Sequence, residues 1–358
     1  MKIKTASLIL LGFGRVGRAL LKQLLDNQDA IRKQCNVFFS IAAVADSRAV
    51  VGSRAGLSVE VLNQVLLHKE GGLPLSDFPG SAPLMVLPDF FASSVLLADT
   101  SASIETAPLL RLFIESGGGI ALANKLPLAQ PWQEACIFFN NPHVRYEATV
   151  GAGLPVIASL ISLLANGDRL TMIEGGMSGT LGYLTSALQQ GRTFSDAVMD
   201  AFTAGYTEPD PRQDLGGLDV ARKALILART AGSTANIEDI NLDPFCADTQ
   251  GNKSVQQFLD HLPEFNNQFM KRSKLAAEKG NVLRYLARVA PDEISVGMVE
   301  VPEKSSLGTL VGTDNFFAFH SNNYNSSPLV ISGPGAGIAV TAAGVISDLI
   351  SLAVNQER

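Results

Sequence analysis

Apolar positions in the N-terminal third of the chain come as short unbroken runs separated by stretches of helical period. Ser7-Leu8-Ile9-Leu10-Leu11 is continuous, as a parallel strand buried on both faces requires. After it, Val16, Leu20, Leu21, Leu24 and Leu25 recur along one helix face. Val37 to Ala45 is a second strand, closed by Asp46-Ser47-Arg48. Residues 52–80 are loop-rich, and His68 among them reads as a surface histidine. Leu84–Leu87 and Val95–Ala98 are further apolar runs, and Asp99-Thr100-Ser101-Ala102 ends the second. Thr106 to Ser116 reads as a helix with Pro108 in its first turn, stopped by Gly117-Gly118-Gly119. Ile120–Ala123 is another buried strand, followed by Asn124-Lys125. Strands alternating with helices predict an α/β fold, a Rossmann-like doubly wound parallel sheet over residues 1–150.

Past a Gly-rich hinge, Tyr146 to Val156, the pattern changes. Arg169 to Met177 reads as a strand, and helices are expected after Ser178, after Thr193 and from Asp219 to about Ala231. Residues 234–302 are the least legible, with Lys271–Lys274 a solvated helix face. Tyr285–Val289, Ile294–Val299, Phe316–Phe319 and Leu329–Ser332 read as strands, and a sheet built from them suits packing against a second subunit. A final amphipathic helix covers Val340 to Val354. Residues 151–333 thus form an α+β domain for substrate binding and dimerisation.

Composition narrows the classes. The 358 residues give room for two domains, and 46% hydrophobic content suits an α/β enzyme. Net charge is -6 without a basic cluster, which argues against a nucleic-acid partner. Cys35, Cys136 and Cys246 show no CxxC or His-linked spacing and read as reduced core thiols of a cytoplasmic protein. No signal peptide is visible, and no apolar run reads as long enough to span a membrane.

The candidate chemistry lies at the ends of these elements. Gly12-Phe13-Gly14-Arg15-Val16-Gly17 between a strand and a helix is a dinucleotide turn. Gly12 allows the tight bend, Gly14 lets backbone approach a pyrophosphate, and Gly17 lets helix pack on strand. Asp46 is placed to take ribose hydroxyls, which signals NAD, whereas Ser47 and Arg48 suit a 2′-phosphate. The reading leans to NADP, with NAD as the alternative. Thr100 and Ser101 end a strand on the nicotinamide side, and Lys125 ends the next. Ser178-Gly179-Thr180 offers backbone N–H groups and a hydroxyl to a carboxylate. Charge concentrates in Glu208 to Lys223, which holds seven charged residues in sixteen positions against 17% for the whole chain. There Glu208, Asp214 and Asp219 converge on Lys223, whose helix is otherwise largely apolar. A lysine so placed can relay protons.

Gly205-Tyr206-Thr207-Glu208-Pro209-Asp210-Pro211, Asp214 and Gly217-Leu218-Asp219-Val220-Ala221-Arg222-Lys223 resemble the signature of homoserine dehydrogenases. Thr100-Ser101-Ala102, Ala123-Asn124-Lys125-Leu126-Pro127 and Gly333-Pro334-Gly335-Ala336-Gly337 are similar to other motifs of that family, in the same order. One departure is Gly182 before Tyr183, where the family usually has Asn. The resemblance implies NAD(P)-dependent interconversion of L-aspartate 4-semialdehyde and L-homoserine by an oxidoreductase acting on a CH–OH group. It implies Lys223 as proton donor with Lys125 assisting, and Glu208, Asp214, Asp219, Tyr206, Gly179 and Thr180 around the substrate. It also implies a sodium or potassium ion held by Glu147 and the carbonyls of Val150, Ala152 and Leu154. Residues 334–358 would return to the cofactor domain with Gly337 near the cofactor, in a homodimer. The motifs run from Gly12 to Asp348, which implies a single-function enzyme. An aspartate-semialdehyde-dehydrogenase-like enzyme would need a reactive cysteine beside a histidine, a setting that Cys136 and Cys246 lack. A dinucleotide-binding sensor would leave the acids around Lys223 without a task.

Overall fold

The computed structural model describes residues 3–246 and 254–355. The chain divides into two compact units, Met1–Gly153 with Ala336–Arg358, and Leu154–Gly335.

The first unit contains β1 (Lys4–Leu11), α1 (Arg15–Cys35), β2 (Val37–Ala45), β3 (Ala49–Gly52), α2 (Val59–Glu70), β4 (Ala82–Pro83), β5 (Val95–Asp99), α3 (Ala107–Glu115), β6 (Gly119–Leu122), α4 (Trp132–Ala135) and β7 (Val144–Arg145). Its sheet runs β4-β3-β2-β1-β5-β6-β7. The last five in that order are parallel, and β3 and β4 add an antiparallel edge beside β2. The chain leaves β1 for β2 on one side and resumes with β5 on the other. The crevice beyond the carboxyl ends of β1 and β5 is therefore the switch point of the sheet. Asn36 closes α1 in the left-handed region, φ 57°, and its N–H donates to the Arg32 carbonyl, which turns the chain at once into β2. Leu20, Leu21 and Leu24 on α1 join Leu8, Leu10, Val44 and Leu96 from the strands in one core.

The C-terminal helix, Ile338–Asn355, contributes Ala342, Val345, Leu349 and Leu352 to that core and packs against α1. Emptying Leu349 to Ala would cost about 2–5 kcal/mol. With mean hydropathy 1.7 over 18 residues, the helix is long and apolar enough to cross a membrane by length and composition. That corrects the expectation that no apolar run reaches such a length. The physical reason is close packing. A side chain at Gly344 would collide with the Ala152 carbonyl, so the helix presents small and apolar residues to its own unit. Three local readings also change. Leu84–Phe90 is 3-10 helix with Pro88 inside it. The loop-rich stretch holds α2, and β3 ends at its first residue, Gly52. His68 is half-buried, edge-on to Phe78 at 5.5 Å with a ring nitrogen 2.9 Å from the Pro74 carbonyl, not a surface residue.

The second unit contains α5 (Val156–Ala165), β8 (Leu170–Gly176), α6 (Gly179–Gln189), α7 (Phe194–Thr203), α8 (Arg212–Leu215), α9 (Leu218–Thr230), β9 (Asn241–Leu242), α10 (Val255–His261), α11 (Asn266–Glu278), β10 (Asn281–Ala290), β11 (Glu293–Pro302), β12 (Asp314–Ser321) and β13 (Leu329–Pro334). Its sheet runs β13-β12-β8-β10-β11-β9, antiparallel except where β9 joins β11. Helices α6, α9 and α11 pack on β10. Phe194 stacks on Phe269 at 4.2 Å between centroids, and Phe245 stacks on Phe269 at 5.5 Å. Leu286, Val301, Phe316 and Ala318 form a second apolar cluster with Leu307. The fully buried guanidinium of Arg284 donates to the carbonyls of Leu307, Gly308 and Leu310 and to Gln189 Oε1, which pins the loop leading into β12. That loop supports the start of α6. A side chain added at Gly179 or Gly182 would meet the Thr313 or Gly312 carbonyl at 2.9 and 3.0 Å. Gly182 thus fills a position with little room.

Candidate active site

In the first unit the glycine turn follows β1 directly. Gly12 has φ 87°, and a side chain there would strike the Ser101 backbone at 2.4 Å. Gly17 lies under the Gly12 carbonyl and the Thr100 hydroxyl, at 2.5 and 2.8 Å from where its Cβ would be. Gly14, by contrast, has nothing within 4 Å of that point. Open backbone at a helix N-terminus is what an anionic pyrophosphate can approach. Phe13 is buried, whereas Arg15 is exposed and Val16 half-buried. Thr100 Oγ1 donates to the Gly12 carbonyl at 2.8 Å, tying the end of β5 to the turn.

Asp46 directly follows β2, with both oxygens engaged. Oδ1 accepts the Arg48 and Ala49 N–H groups at 3.0 and 3.1 Å, and Oδ2 accepts Lys69 Nζ at 3.0 Å and the Leu75 N–H at 3.3 Å. Burial pushes this carboxyl up, but the Arg48 N–H, Lys69 and the Ala49 N–H more than offset it, so Asp46 ionises below the ordinary aspartate value. Ser47 and Arg48 are exposed beside it. Lys69 is a partner that sequence reasoning misses. It arrives from α2, 23 residues away, and no local pattern marks it. Lys125 is half-buried just past β6. Gly337, exposed with φ 127°, precedes the C-terminal helix.

The proposed cation ligands divide between the units. Glu147, Val150 and Ala152 lie in the first, and Leu154 opens the second, its carbonyl accepting the Val156 N–H at 2.8 Å. Ala152 is a non-glycine residue at φ 55°. The Glu147 N–H donates to Asp348 Oδ2 at 2.9 Å, and both acids are buried. Burial, and then the Glu147 charge, push the Asp348 carboxyl well above its ordinary value. Among the described residues no group of three or more His, Cys, Asp or Glu is arranged as a metal cluster.

In the second unit Lys223 sits on the buried face of α9, 9% exposed. Gly217 at φ 73° starts that helix, and Tyr285 Oη lies 2.1 Å from where its Cβ would be, so only glycine fits the bend. The Lys223 amine donates to the Met177 carbonyl at 2.7 Å and pairs with Asp219 Oδ2 at 2.9 Å, one turn earlier. Met177 lies just past β8. Ser178 then caps α6, its hydroxyl accepting the Leu181 N–H. Thr180 Oγ1 donates to the Tyr206 carbonyl at 2.6 Å and lies 3.1 Å from Asp214 Oδ1. Asp214 Oδ2 accepts the Glu208 N–H at 2.8 Å. Burial raises the Asp214 carboxyl, the Glu208 N–H and Thr180 lower it, and the charges of Glu208 and Asp219 raise it further. The acids therefore have separate tasks. Asp219 fixes the lysine, Asp214 ties Thr180 to the Glu208 backbone, and Glu208 is left exposed. Tyr206, 48% exposed, meets Tyr183 edge-on at 5.2 Å. Asp210 and Arg212 form a bidentate pair that stiffens the loop between. The arrangement offers a held ammonium, a free carboxylate and a capped helix start, a set able to bind a zwitterion and move a proton.

The family model for homoserine dehydrogenase matches residues 155–350. A bifunctional aspartokinase/homoserine dehydrogenase from Zea mays is 34% identical over 97% of the chain, and the chain spans 38% of that relative's length. Homoserine dehydrogenase from Saccharomyces cerevisiae is 34% identical, with 99% of both chains covered. Among solved structures, a Candida auris protein described as of unknown function superposes with TM-score 0.85 at 31% identity, covering 98% of this chain and 99% of its own. A hyperthermophilic archaeal homoserine dehydrogenase in complex with NADPH shares the fold, with TM-score 0.73 at 22% identity, covering 97% of each chain. The chain belongs to the homoserine dehydrogenase family.

Proposed function

We propose that the chain catalyses the NADP-linked interconversion of L-aspartate 4-semialdehyde and L-homoserine. The observation that carries the reading is the Lys223 amine, buried on an apolar helix and clamped between Asp219 and the Met177 carbonyl. NADPH, when bound, supplies hydride to the aldehyde carbon. The aldehyde oxygen gains negative charge as this happens, and Lys223 delivers the proton that neutralises it, directly or through one water. Lys125 assists as a second cation. The Glu208 carboxylate takes the substrate ammonium, and Asp214 holds the backbone from which Glu208 projects. Asp219 keeps the lysine aimed, while Gly179, Thr180 and Tyr206 complete the substrate's surroundings.

The dinucleotide would lie on Gly12, Phe13, Gly14, Arg15, Val16 and Gly17, with Thr100, Ser101, Lys125 and Gly337 toward its nicotinamide end. Asp46 favours NAD where it is free to take ribose hydroxyls. Here Lys69 and three N–H groups occupy it, and Ser47 and Arg48 lie open beside it. A 2′-phosphate would meet cations at this strand end, which supports NADP. The NADPH complex of the archaeal relative points the same way.

A sodium or potassium ion suits the hard oxygens of Glu147 and the carbonyls of Val150, Ala152 and Leu154. A cation there would offset the repulsion between buried Glu147 and Asp348. The half-exposed edge strand β13, with Val330 40% exposed, supports pairing of two copies through the second unit.

Initial rates with L-homoserine and each oxidised dinucleotide test the reading. Reduction of NADP+ well above NAD+ is expected, and absence of turnover with both would overturn it.

A further inference from the structure

Two side chains at the ends of β5 and β6 take no part in the proposed proton and hydride transfer, yet polar bonds of the first unit converge on them. Asp99 is fully buried. Its Oδ1 accepts the Ser101 N–H at 2.9 Å, and its Oδ2 accepts the Thr106 hydroxyl at 3.0 Å and Asn124 Nδ2 at 3.1 Å. Asn124, 2% exposed, turns Nδ2 toward Asp99, toward Ser101 Oγ at 3.0 Å and toward the Ser103 carbonyl at 2.7 Å. Its Oδ1 accepts the Leu126 N–H at 3.1 Å. That last bond closes an Asx turn whose central residue is Lys125.

We infer that Asp99 and Asn124 form a positioning pair that aims Lys125 and Ser101 for the reaction. The inference rests on the reading of Lys125 as an assisting cation. The amide of Asn124 has two senses. In the opposite one, its oxygen would face the Asp99 carboxylate and the Ser103 carbonyl, and its NH2 would face the Leu126 N–H. The carboxylate therefore selects the sense of the amide, and the amide selects the turn on which Lys125 stands. The same carboxylate, through Oδ1, fixes the Ser101 backbone, against which the glycine turn packs at Gly12. The strand ends do not need these side chains to stay together. The Ala123 and Asn124 N–H groups already donate to the Asp99 carbonyl at 2.9 and 3.3 Å. The side-chain pair instead sets the direction in which the chain leaves the two strands.

Asp99→Asn keeps the size but places an NH2 among donors. A misaimed catalytic group costs up to about 10²-fold, so kcat should fall roughly tenfold to a hundredfold. The decisive comparison is with Lys125→Ala and the double variant in the full chain. If Asp99 acts through Lys125, the double variant should turn over about as slowly as Lys125→Ala alone. Losses that multiply in full, or an Asp99→Asn enzyme with normal kcat, would overturn the pair. If Asp99→Asn does not fold, Asn124→Ala serves in the same cycle. It removes the Asx turn and leaves Asp99 bonded to Ser101 and Thr106, and the same two outcomes decide. A Lys125→Ala enzyme with normal turnover would remove Lys125 from the mechanism and the pair with it, while the overall reaction would still stand.

Discussion

Lys223 and Lys125 are aimed in opposite ways. Lys223 is clamped at its tip, by a carboxylate one helical turn away and by the Met177 carbonyl just past β8. Its stem is buried and its helix is apolar on that face. Lys125 is half-buried, and its direction comes from its backbone, through the Asx turn that Asn124 closes around it. A tip clamp fixes a single atom and tolerates no change of head group. A backbone turn fixes the direction in which a side chain leaves the chain. The first suits a proton donor that must meet one oxygen, and the second suits a cation that is aimed from the end of a strand.

Replacement of each lysine by arginine separates these modes most sharply. Lys223→Arg must fit a fork of five donors into a socket built for three, so turnover should fall on the order of 10²-fold or more. Lys125→Arg should retain most of its turnover. Equal losses in steady-state rates would erase the distinction.

A smaller effect is expected where a lysine tip meets an acid outside the reaction. Lys69→Ala frees Asp46 for ribose hydroxyls and removes a cation from the end of β2. NADPH affinity should fall roughly tenfold, about 1.4 kcal/mol, while NADH affinity holds or improves. Arg48→Ala should act in the same direction. Parallel losses for both cofactors, measured by fluorescence titration, would sink the 2′-phosphate reading.

The smallest effect concerns stability. The Asp46 carboxyl is held below its ordinary value, so the unfolded chain binds more protons as acid is added. The contribution of Asp46 is complete above about pH 4 and is lost as pH falls through the depressed folded value. Thermal scans should show Asp46→Asn with a flatter acid limb than the parent. Coincident limbs would mean that the Asp46–Lys69 pair is energetically idle.

Legibility in the sequence tracks the range of the interactions. The parallel strands are legible because burial on both faces writes itself as unbroken apolar runs such as Ile9-Leu10-Leu11. The glycine turn and the Lys223 helix are legible because each is a contiguous motif. The stretch before β10 is less legible, since α11 is held by contacts such as Phe194 on Phe269, 75 residues apart in sequence. Lys69 is hidden for the same reason, being assigned by a contact between α2 and the end of β2. Asp99 and Asn124 stand inside motifs whose neighbours, Thr100, Ser101 and Lys125, carry the more obvious chemistry. Only their mutual bond shows what they do. The terminal helix reads as amphipathic in sequence, yet its apolar length serves the core of the first unit.

The most direct test of the account is a single turnover. Enzyme preloaded with NADPH is mixed with L-aspartate 4-semialdehyde, and loss of reduced-cofactor absorbance is followed for the parent and for Lys223→Ala, alongside the NADPH dissociation constant of each. The account predicts a hydride-transfer rate lowered by about 10²–10⁴-fold with NADPH binding nearly unchanged. A Lys223→Ala enzyme that transfers hydride at the parental rate would contradict it.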